Sequence, residues 1–380
     1  MTAALLAPRH LEVQRSFDKK TPLLLPAAVN LGNLLFRSAV ADHVRDFEWV
    51  DESMNPKEVA DRYEIVVLPL ANLLTPWSTG GLGAWATSAA DFLEAVGLPV
   101  MALGMGAQAR LGDHSDLGLS DEIVKLARVI SEHSISIGVR GEFTADVLAG
   151  VGIRNTVIIG CPSNFISQSP ALGGTIQTKQ EAGVPGRIVF SGRDFDFRSS
   201  DLHRKAQTRL LDQAELHRGF YVIQAQQEAI RLTRRDRRDS AADSYRDQLR
   251  RYLRPWNSDD QFRSLIDQRF LSFPSTHAWL EFLSSADLHV GMRIHGSIAA
   301  TQAGTPSVTV LHDSRTQELC ETIGLPSISV EEFCDATCLP EIVERHAFDG
   351  KRYDDRRRQL AETYTQLYAA NGLKCAIAVS

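Results

Sequence analysis

The chain has 380 residues, 43% of them hydrophobic and 23% charged, with a formal net charge of -6. This length predicts roughly two domains of ordinary size, and the acidic balance argues against general nucleic-acid binding, which needs a basic face. No apolar run approaches the ~20 residues of a membrane span, and the apolar stretch at 3–7 is too short for a secretory signal and lacks a basic lead, so the expected location is the cytoplasm, with a peripheral role at the inner face of the membrane compatible with it.

In chain order, residues 22–26 read as an edge strand or an extended lead-in, and Asn30-Leu31-Gly32-Asn33 opens a helix running to about 45. Residues 64–70 form a buried strand, and 98–106 another that ends in a glycine-rich turn. A helix over 121–132 has Ser120 at its cap. A strand over 134–140 is followed by a helix over 141–148, and the strand at 155–160 is closed by Cys161-Pro162. Residues 167–186 are rich in Gly, Pro, Ser and Gln and read as a linker. A second α/β unit begins at 187–192, with further strands at 220–224, 270–273, 288–291 and 307–310. The last helix, about 353–370, is amphipathic and is expected to pack back on the first unit. Such alternation predicts parallel sheets covered by helices. Between 226 and 254 lie nine arginines and five acids. They fit a basic surface for an anionic polymer or lipid-linked acceptor, or a solvated helical insertion laced with i,i+4 ion pairs; the second is favoured.

The most informative segment runs from Asp287 to Ala300. An apolar strand enters Arg293-Ile294-His295-Gly296 and a helix of small residues follows. Residues two apart in a strand share a face, so Arg293 and His295 can face one crevice. Open α/β sheets bind ligands at such strand ends, and free amides at a helix start favour anions. Arginine grips carboxylate or phosphate through paired donors, and histidine titrates near neutrality. The pattern predicts an anionic small-molecule site with His295 available for proton transfer. A turn histidine bonded to a backbone carbonyl is the plainer alternative, and the company of Arg293 weighs against it.

Arg140 stands at a second strand-to-helix junction, where an ion pair with Glu142 or Asp146 is the alternative. The turns at Gly32, at 80–83 and at Gly104 and Gly106 let backbone approach a ligand, but none carries a dinucleotide fingerprint and tight packing is the default. Asn30 and Asn33 read as helix caps. His312-Asp313-Ser314-Arg315 follows the next strand and should reach the same edge, with Asp313 or Ser314 as a cap. The five cysteines form an odd, scattered set, not a disulfide framework, and the spacing of Cys320, Cys334 and Cys338 fits no standard zinc pattern, so no metal is expected. Cys161 would need an activating neighbour to act as a nucleophile, and none is identifiable locally, so a structural role is favoured.

Taken in order, these motifs resemble the polysaccharide pyruvyl transferase family. Asn30-Leu31-Gly32-Asn33 resembles its Asn-x-Gly-Asp, with Asn33 replacing the acid. Leu103-Gly104-Met105-Gly106 resembles its glycine turn, and Val139-Arg140-Gly141-Glu142-Phe143-Thr144 its arginine junction with one residue inserted. Gly160-Cys161-Pro162-Ser163 stands where many members have Asp-Pro. Arg293-Ile294-His295-Gly296, Ala299 and Gly304-Thr305-Pro306 resemble the C-terminal signature. The charged insertion near 226–254 lies outside the resemblance.

The resemblance implies an α/β fold of two Rossmann-like domains facing a central cleft, GT-B-like. Residues 1–182 would form the acceptor side and 183–350 the donor side, with 351–380 as a returning helix. It also implies transfer of pyruvate from phosphoenolpyruvate to two hydroxyls of a saccharide or lipid-linked oligosaccharide, forming a cyclic ketal for exopolysaccharide or cell-surface glycan, without cofactor. A homo-oligomer is compatible with it. His295 would be the acid or base; Arg293 and Arg140 would hold the donor, aided by the amides of Gly296 and Ser297. Asn33, Gly106, His312 and Arg315 would line the site. Two other functions stay open: a GT-B glycosyltransferase using a nucleotide sugar, against which no acidic pair for a ribose is visible, and a glycan-binding scaffold without catalysis, suggested by Asn33.

Overall fold

The computed structural model describes residues 2–7, 30–77, 81–183, 186–233 and 240–379; the strand expected at 22–26 lies outside them. The first sheet has seven parallel strands: β1 (Ala3–Leu6), β2 (Phe47–Val50), β3 (Ile65–Pro69), β4 (Asn72–Leu74), β5 (Val100–Ala107), β6 (Ile137–Val139) and β7 (Thr156–Ile158). Their order is β2-β1-β3-β5-β6-β7, with β4 pairing the end of β5. Strands buried on both faces read as unbroken apolar runs, and β3 is one: Val66 and Leu68 enter one core, Ile65 and Val67 the other. The stretch at 3–7, weighed in sequence only as a failed signal, is β1, fully buried between β2 and β3. Two of its four residues are alanine, which is depleted in strands, so its propensity is weak.

The second sheet is also parallel, with β8 (Ile188–Ser191), β9 (Phe220–Val222), β10 (Phe270–Leu271), β11 (Leu288–Gly291), β12 (Ser307–Leu311) and β13 (Ser327–Ser329) in the order β10-β9-β8-β11-β12-β13. This is the 3-2-1-4-5-6 order of a doubly wound sheet, which reverses direction between its first and fourth strands. Here those are β8 and β11, aligned from Leu288 opposite Ile188 to Gly291 opposite Ser191. Arg293-Ile294-His295-Gly296 therefore leaves the sheet at its switch point.

The stretch at 167–186 is not a slack linker. A helix, Leu172–Glu181, fills half of it, and Leu172 and Ile176 share a core with Leu31, Phe36, Ile294 and Ile298. Gly173 serves close packing: a Cβ there would lie 2.2 Å from the Gly350 carbonyl oxygen, and its N–H donates to Asp354 at 2.7 Å. The partner is the last helix, Gly350–Ala370, whose Leu360, Tyr364 and Tyr368 pack against Leu5, Val67 and Leu103 of the first sheet. Arg357 on it is buried and donates to the carbonyls of Asn164 at 2.9 Å, Ser169 at 2.7 Å and Ser167.

The charged insertion forms helices Gln227–Leu232 and Ser240–Leu253. Four of its described arginines are paired: Arg250 and Arg251 with Asp247, Arg246 with Asp243 and Asp259, and Arg254 with Asp212 and Glu215. Residues 234–239 lie outside the described set. No helix among the described residues is long and apolar enough to cross a membrane.

Candidate functional site

β11 ends at Gly291, and the Met292 N–H donates to the Ser191 carbonyl at 2.8 Å, holding the two switch-point strands level. Arg293 is the N-cap of the helix Ile294–Gln302. Its Nε donates to the Gly192 carbonyl at 3.2 Å, and Nη2 pairs with Asp194. His295, in the first helical turn, reaches across to the first half of the chain. A Cβ on Gly32 would lie 2.4 Å from His295 Nδ1, so the imidazole fills the space a side chain there would need. The helix Leu31–Val44 is anchored for this contact by Asn30. The Asn30 carboxamide oxygen accepts from the Gly32 N–H at 2.9 Å, Asn30 bridges to Ala225, and the Leu31 N–H donates to the Gln224 carbonyl at 2.8 Å. Phe36 on the same helix packs on the imidazole, ring centroids 5.9 Å apart.

The other imidazole nitrogen, Nε2, lies 3.7 Å from Cys161 Sγ, which is 3.0 Å from Ser163 Oγ. The neighbour that Cys161 lacks in sequence is thus His295 itself. Cys161 follows β7 of the first sheet and His295 follows β11 of the second, so no local spacing joins them. The available signal was positional, since both stand at the carboxyl ends of strands.

Arg140 leaves β6 fully buried. It passes over Gly106, whose Cβ would lie 2.6 Å from its Cδ, so Gly106 admits Arg140 rather than offering backbone to a ligand. Nε donates to the Gly104 carbonyl at 3.0 Å and Nη1 to Asn72 Oδ1 at 2.8 Å, instead of the expected Glu142 or Asp146. The guanidinium sits 5.9 Å from the Phe36 ring centroid. Its Nη2 is buried without a partner.

Asp313 is the N-cap of the helix Ser314–Ile323, in a capping box with Thr316, and accepts from Gln108 Nε2 at 2.9 Å. Arg315 Nη2 lies 3.3 Å from Asp313, and Arg315 Nε is buried without a partner. Burial alone would raise the Asp313 pKa, but Arg315, His312 and the Thr316 hydrogen bonds hold the carboxyl well below its usual range. Burial pushes His312 down to about 4; it faces His203 edge-on at 6.4 Å between ring centroids, and its Nε2 lies 3.5 Å from Asp313.

Two expected contacts are corrected. The amides of Gly296 and Ser297 are not free for an anion: both donate to the Arg293 carbonyl, at 2.8 and 3.2 Å, and Ser297 Oγ accepts from Thr309 Oγ1 at 2.8 Å. Gly296 is small because a Cβ would meet Gln224 Nε2 at 2.5 Å. That amide is 2% exposed, with neither its nitrogen nor its oxygen partnered. Asn33 is half-buried in the first turn of its helix, where its N–H donates to the Asn30 carbonyl at 2.8 Å; Asn30, not Asn33, is the cap.

Burial, then the charges of Arg140, Arg315 and Arg293, holds the His295 pKa well below its ordinary value. Arg140 and Arg293 are likewise lowered, burial first. Three guanidinium charges thus act on a buried imidazole, two of them paired with carboxylates, Arg293 with Asp194 and Arg315 with Asp313. Among the described residues no group of three or more His, Cys, Asp or Glu could hold a metal ion.

The sequence profile of polysaccharide pyruvyl transferases matches residues 30–314. No curated protein matches the chain in sequence. Among solved structures, Anabaena HepE in complex with UDP is 11% identical with a TM-score of 0.51, over 98% of this chain and 99% of that one. HepE with UDP and glucose gives 9% and 0.50 over the same shares. The Methanocaldococcus jannaschii UDP-GlcNAc 2-epimerase in complex with UDP-GlcNAc and UDP is 10% identical at a TM-score of 0.45, over 95% of this chain and 100% of that one. At such identities the likeness to HepE is one of fold: two Rossmann-like domains facing a central cleft, GT-B-like.

Proposed function

The chain belongs to the polysaccharide pyruvyl transferase family and is a transferase; on that premise we propose that it moves pyruvate from phosphoenolpyruvate onto two hydroxyls of a saccharide, free or lipid-linked, as a cyclic ketal. The observation that carries this reading is the buried, unpartnered Nη2 of Arg140 beside a neutral His295 that Arg315 and Arg293 also face. Uncompensated buried cations are costly, and a small polyanion compensates them. Phosphoenolpyruvate brings a phosphate and a carboxylate, both shaped for guanidinium donors. Arg140 and Arg315 have donors to give. Arg293, bonded to Asp194 and to the Gly192 carbonyl, sets the field and fixes the helix start.

Anion binding offsets the guanidinium charges, so the basicity of His295 rises when the donor is loaded. The imidazole then takes a proton and delivers it to the methylene carbon, leaving an oxocarbenium-like C2. A saccharide hydroxyl attacks C2 and gives its proton back. Phosphate departs with the C–O bonding pair, and the second hydroxyl closes the ring, its proton leaving on the phosphate. General acid–base help of this kind is worth about 10²–10⁴ in rate.

The test is incubation with phosphoenolpyruvate and a glycan panel, and in parallel with nucleotide sugars, followed by phosphorus and proton NMR. Phosphate release with a new ketal methyl signal is the expected result. Nucleoside diphosphate released from a nucleotide sugar, or glycan binding without turnover, overturns the proposal. Near-full phosphate release by a folded His295→Ala variant would remove His295 from its role.

A further inference from the structure

We infer that Cys161 is the proton-linked partner of His295, a positioning residue whose thiol gives its proton to Nε2 when an anion fills the arginine cluster. The chemistry rests on the pyruvyl-transfer reading; the pairing rests on geometry. Sγ lies 3.7 Å from Nε2, a hydrogen-bond distance for sulfur, and 3.0 Å from Ser163 Oγ, which can donate to a thiolate. Cys161 is fully buried and His295 is 6% exposed. Pro162 is wedged against the first sheet, where a Cβ on Gly104 would lie 2.9 Å from its Cδ, so the Cys161 backbone is fixed.

The charged and titratable groups around the pair come from several elements. His295 is faced by Arg140 at the end of β6, by Arg315 at the start of its helix and by Arg293 before its own. Cys161 acts electrostatically on Arg140 and on Tyr364 of the last helix. Among the described residues, Cys161 is the one hydrogen-bonding partner of His295 Nε2. Without an anion the three guanidiniums oppose an imidazolium, so the thiol keeps its proton and hydrogen-bonds to the neutral ring. With the anion in place that opposition falls. The same anion weakens the field that favours a thiolate, which is then held by the Ser163 hydroxyl at 3.0 Å, and the sulfur that supplies the proton stands beside the ring.

The cycle balances without any bulk proton. The S–H proton moves to Nε2, leaving a thiolate and an imidazolium. The Nδ1 proton bonds to the methylene carbon through the double-bond electron pair. The acceptor oxygen bonds to C2 and its proton returns to Nδ1, and Nε2 returns its own to sulfur. Phosphate then leaves C2 with the C–O bonding pair, the second hydroxyl oxygen bonds to C2 in its place, and that hydroxyl's proton leaves on the phosphate. No oxidant or reductant takes part.

The test uses Cys161→Ser and Cys161→Ala in the full chain, with folding checked by thermal denaturation. Serine keeps the size and a hydrogen bond but not the acidity, so it separates proton supply from packing and covers the case in which the alanine variant fails to fold. Both variants are expected to lose about 10²-fold in kcat while the KM for phosphoenolpyruvate stays close to wild type. Their kcat should climb as pH falls, because His295 must then be charged from solvent, whereas the wild-type profile is flat near neutrality. Titrating wild type with phosphoenolpyruvate should raise a thiolate absorbance that Cys161→Ser lacks. A serine variant with wild-type kcat and pH profile, or phosphoenolpyruvate that binds wild type without raising a thiolate signal, overturns the inference. The thiolate signal needs binding but no turnover, so it tests the pairing by itself, whereas an absence of phosphoenolpyruvate binding or of phosphate release in wild type defeats the functional reading alone.

Discussion

Gly32 and Gly106 each hold open the space that a working side chain occupies, His295 in one case and Arg140 in the other. Gly32→Ala puts a methyl 2.4 Å from His295 Nδ1 and must push the ring away. A displacement of about 1 Å at a reacting group costs on the order of 10²-fold in rate. The expected outcome is a loss of that size in kcat, with little change in melting temperature. An alanine variant with wild-type turnover would show that His295 position is not limiting. Arg140→Lys keeps the charge but loses the fork that spans Gly104 and Asn72 and offers Nη2. Hydrogen bonds to charged groups are worth about 1.5–3 kcal/mol, so kcat/KM for the donor should fall about 10–100-fold; steady-state kinetics at fixed acceptor checks it. Arg293 and His295 were legible because strand, cation, imidazole and helix start follow one another in a few residues. The purposes of Gly32, Gly106 and Cys161 were not, because each is set by a side chain from a distant segment.

At the scale of elements, the two halves are joined end to end by helix caps. The helix Glu142–Gly150 of the first half has no side-chain cap from its own N-cap residue, Gly141. Its cap comes from the second half: the Thr144 N–H and Oγ1–H donate to the Glu318 carboxylate at 2.7 and 2.9 Å. Thr144 Oγ1 in turn accepts from the Ala107 N–H at 2.9 Å. Ser314 and Ala109 exchange a second pair of bonds nearby, at 2.9 and 3.1 Å. Burial raises the Glu318 pKa and the Thr144 donors only partly offset that, so a neutral acceptor of the same shape should serve almost as well. Glu318→Ala leaves two buried donors unpaired and is expected to cost about 2–3 kcal/mol; Glu318→Gln should cost less than half as much. Calorimetry on both variants checks the ordering, and equal losses would mean that the charge itself carries the contact. Asp313 as a cap could be foreseen from its place before a helix. Glu318 could not, since a mid-helix glutamate looks like any solvated one. The misread linker has the same origin: its glycines suggested slack, but Gly173 lets the last helix approach.

For the whole molecule, the alternation of strands and helices was enough to foresee two parallel α/β units, while β1 escaped because four small or aliphatic residues carry little pattern of their own. Burial also leaves a global signature in acid. His43 lies under the last helix, hydrogen-bonded to Tyr364 at 3.1 Å. His289 lies inside the second sheet between the hydroxyls of Ser191 and Ser307, each at 2.9 Å. His312 Nε2 lies 3.5 Å from Asp313, and His203 faces its ring edge-on. Burial lowers their pKa values to about 4, about 3 and about 4. An unfolded histidine titrates near 6.5, so below that pH the unfolded chain binds protons that the folded chain refuses. Stability is therefore fully present above about 6.5 and falls as pH drops toward about 4. Each group contributes about 1.4 kcal/mol per pH unit in that window, and the three together about 4. His295, also lowered, acts in the same direction. Urea midpoints measured from pH 7.5 down to pH 4.5 should fall steeply from about 6, well before carboxylates protonate. Replacing His289 by a neutral residue that keeps both serine contacts should make the slope shallower by about 1.4 kcal/mol per unit. A flat profile across that range would mean that these histidines accept protons without leaving their sites.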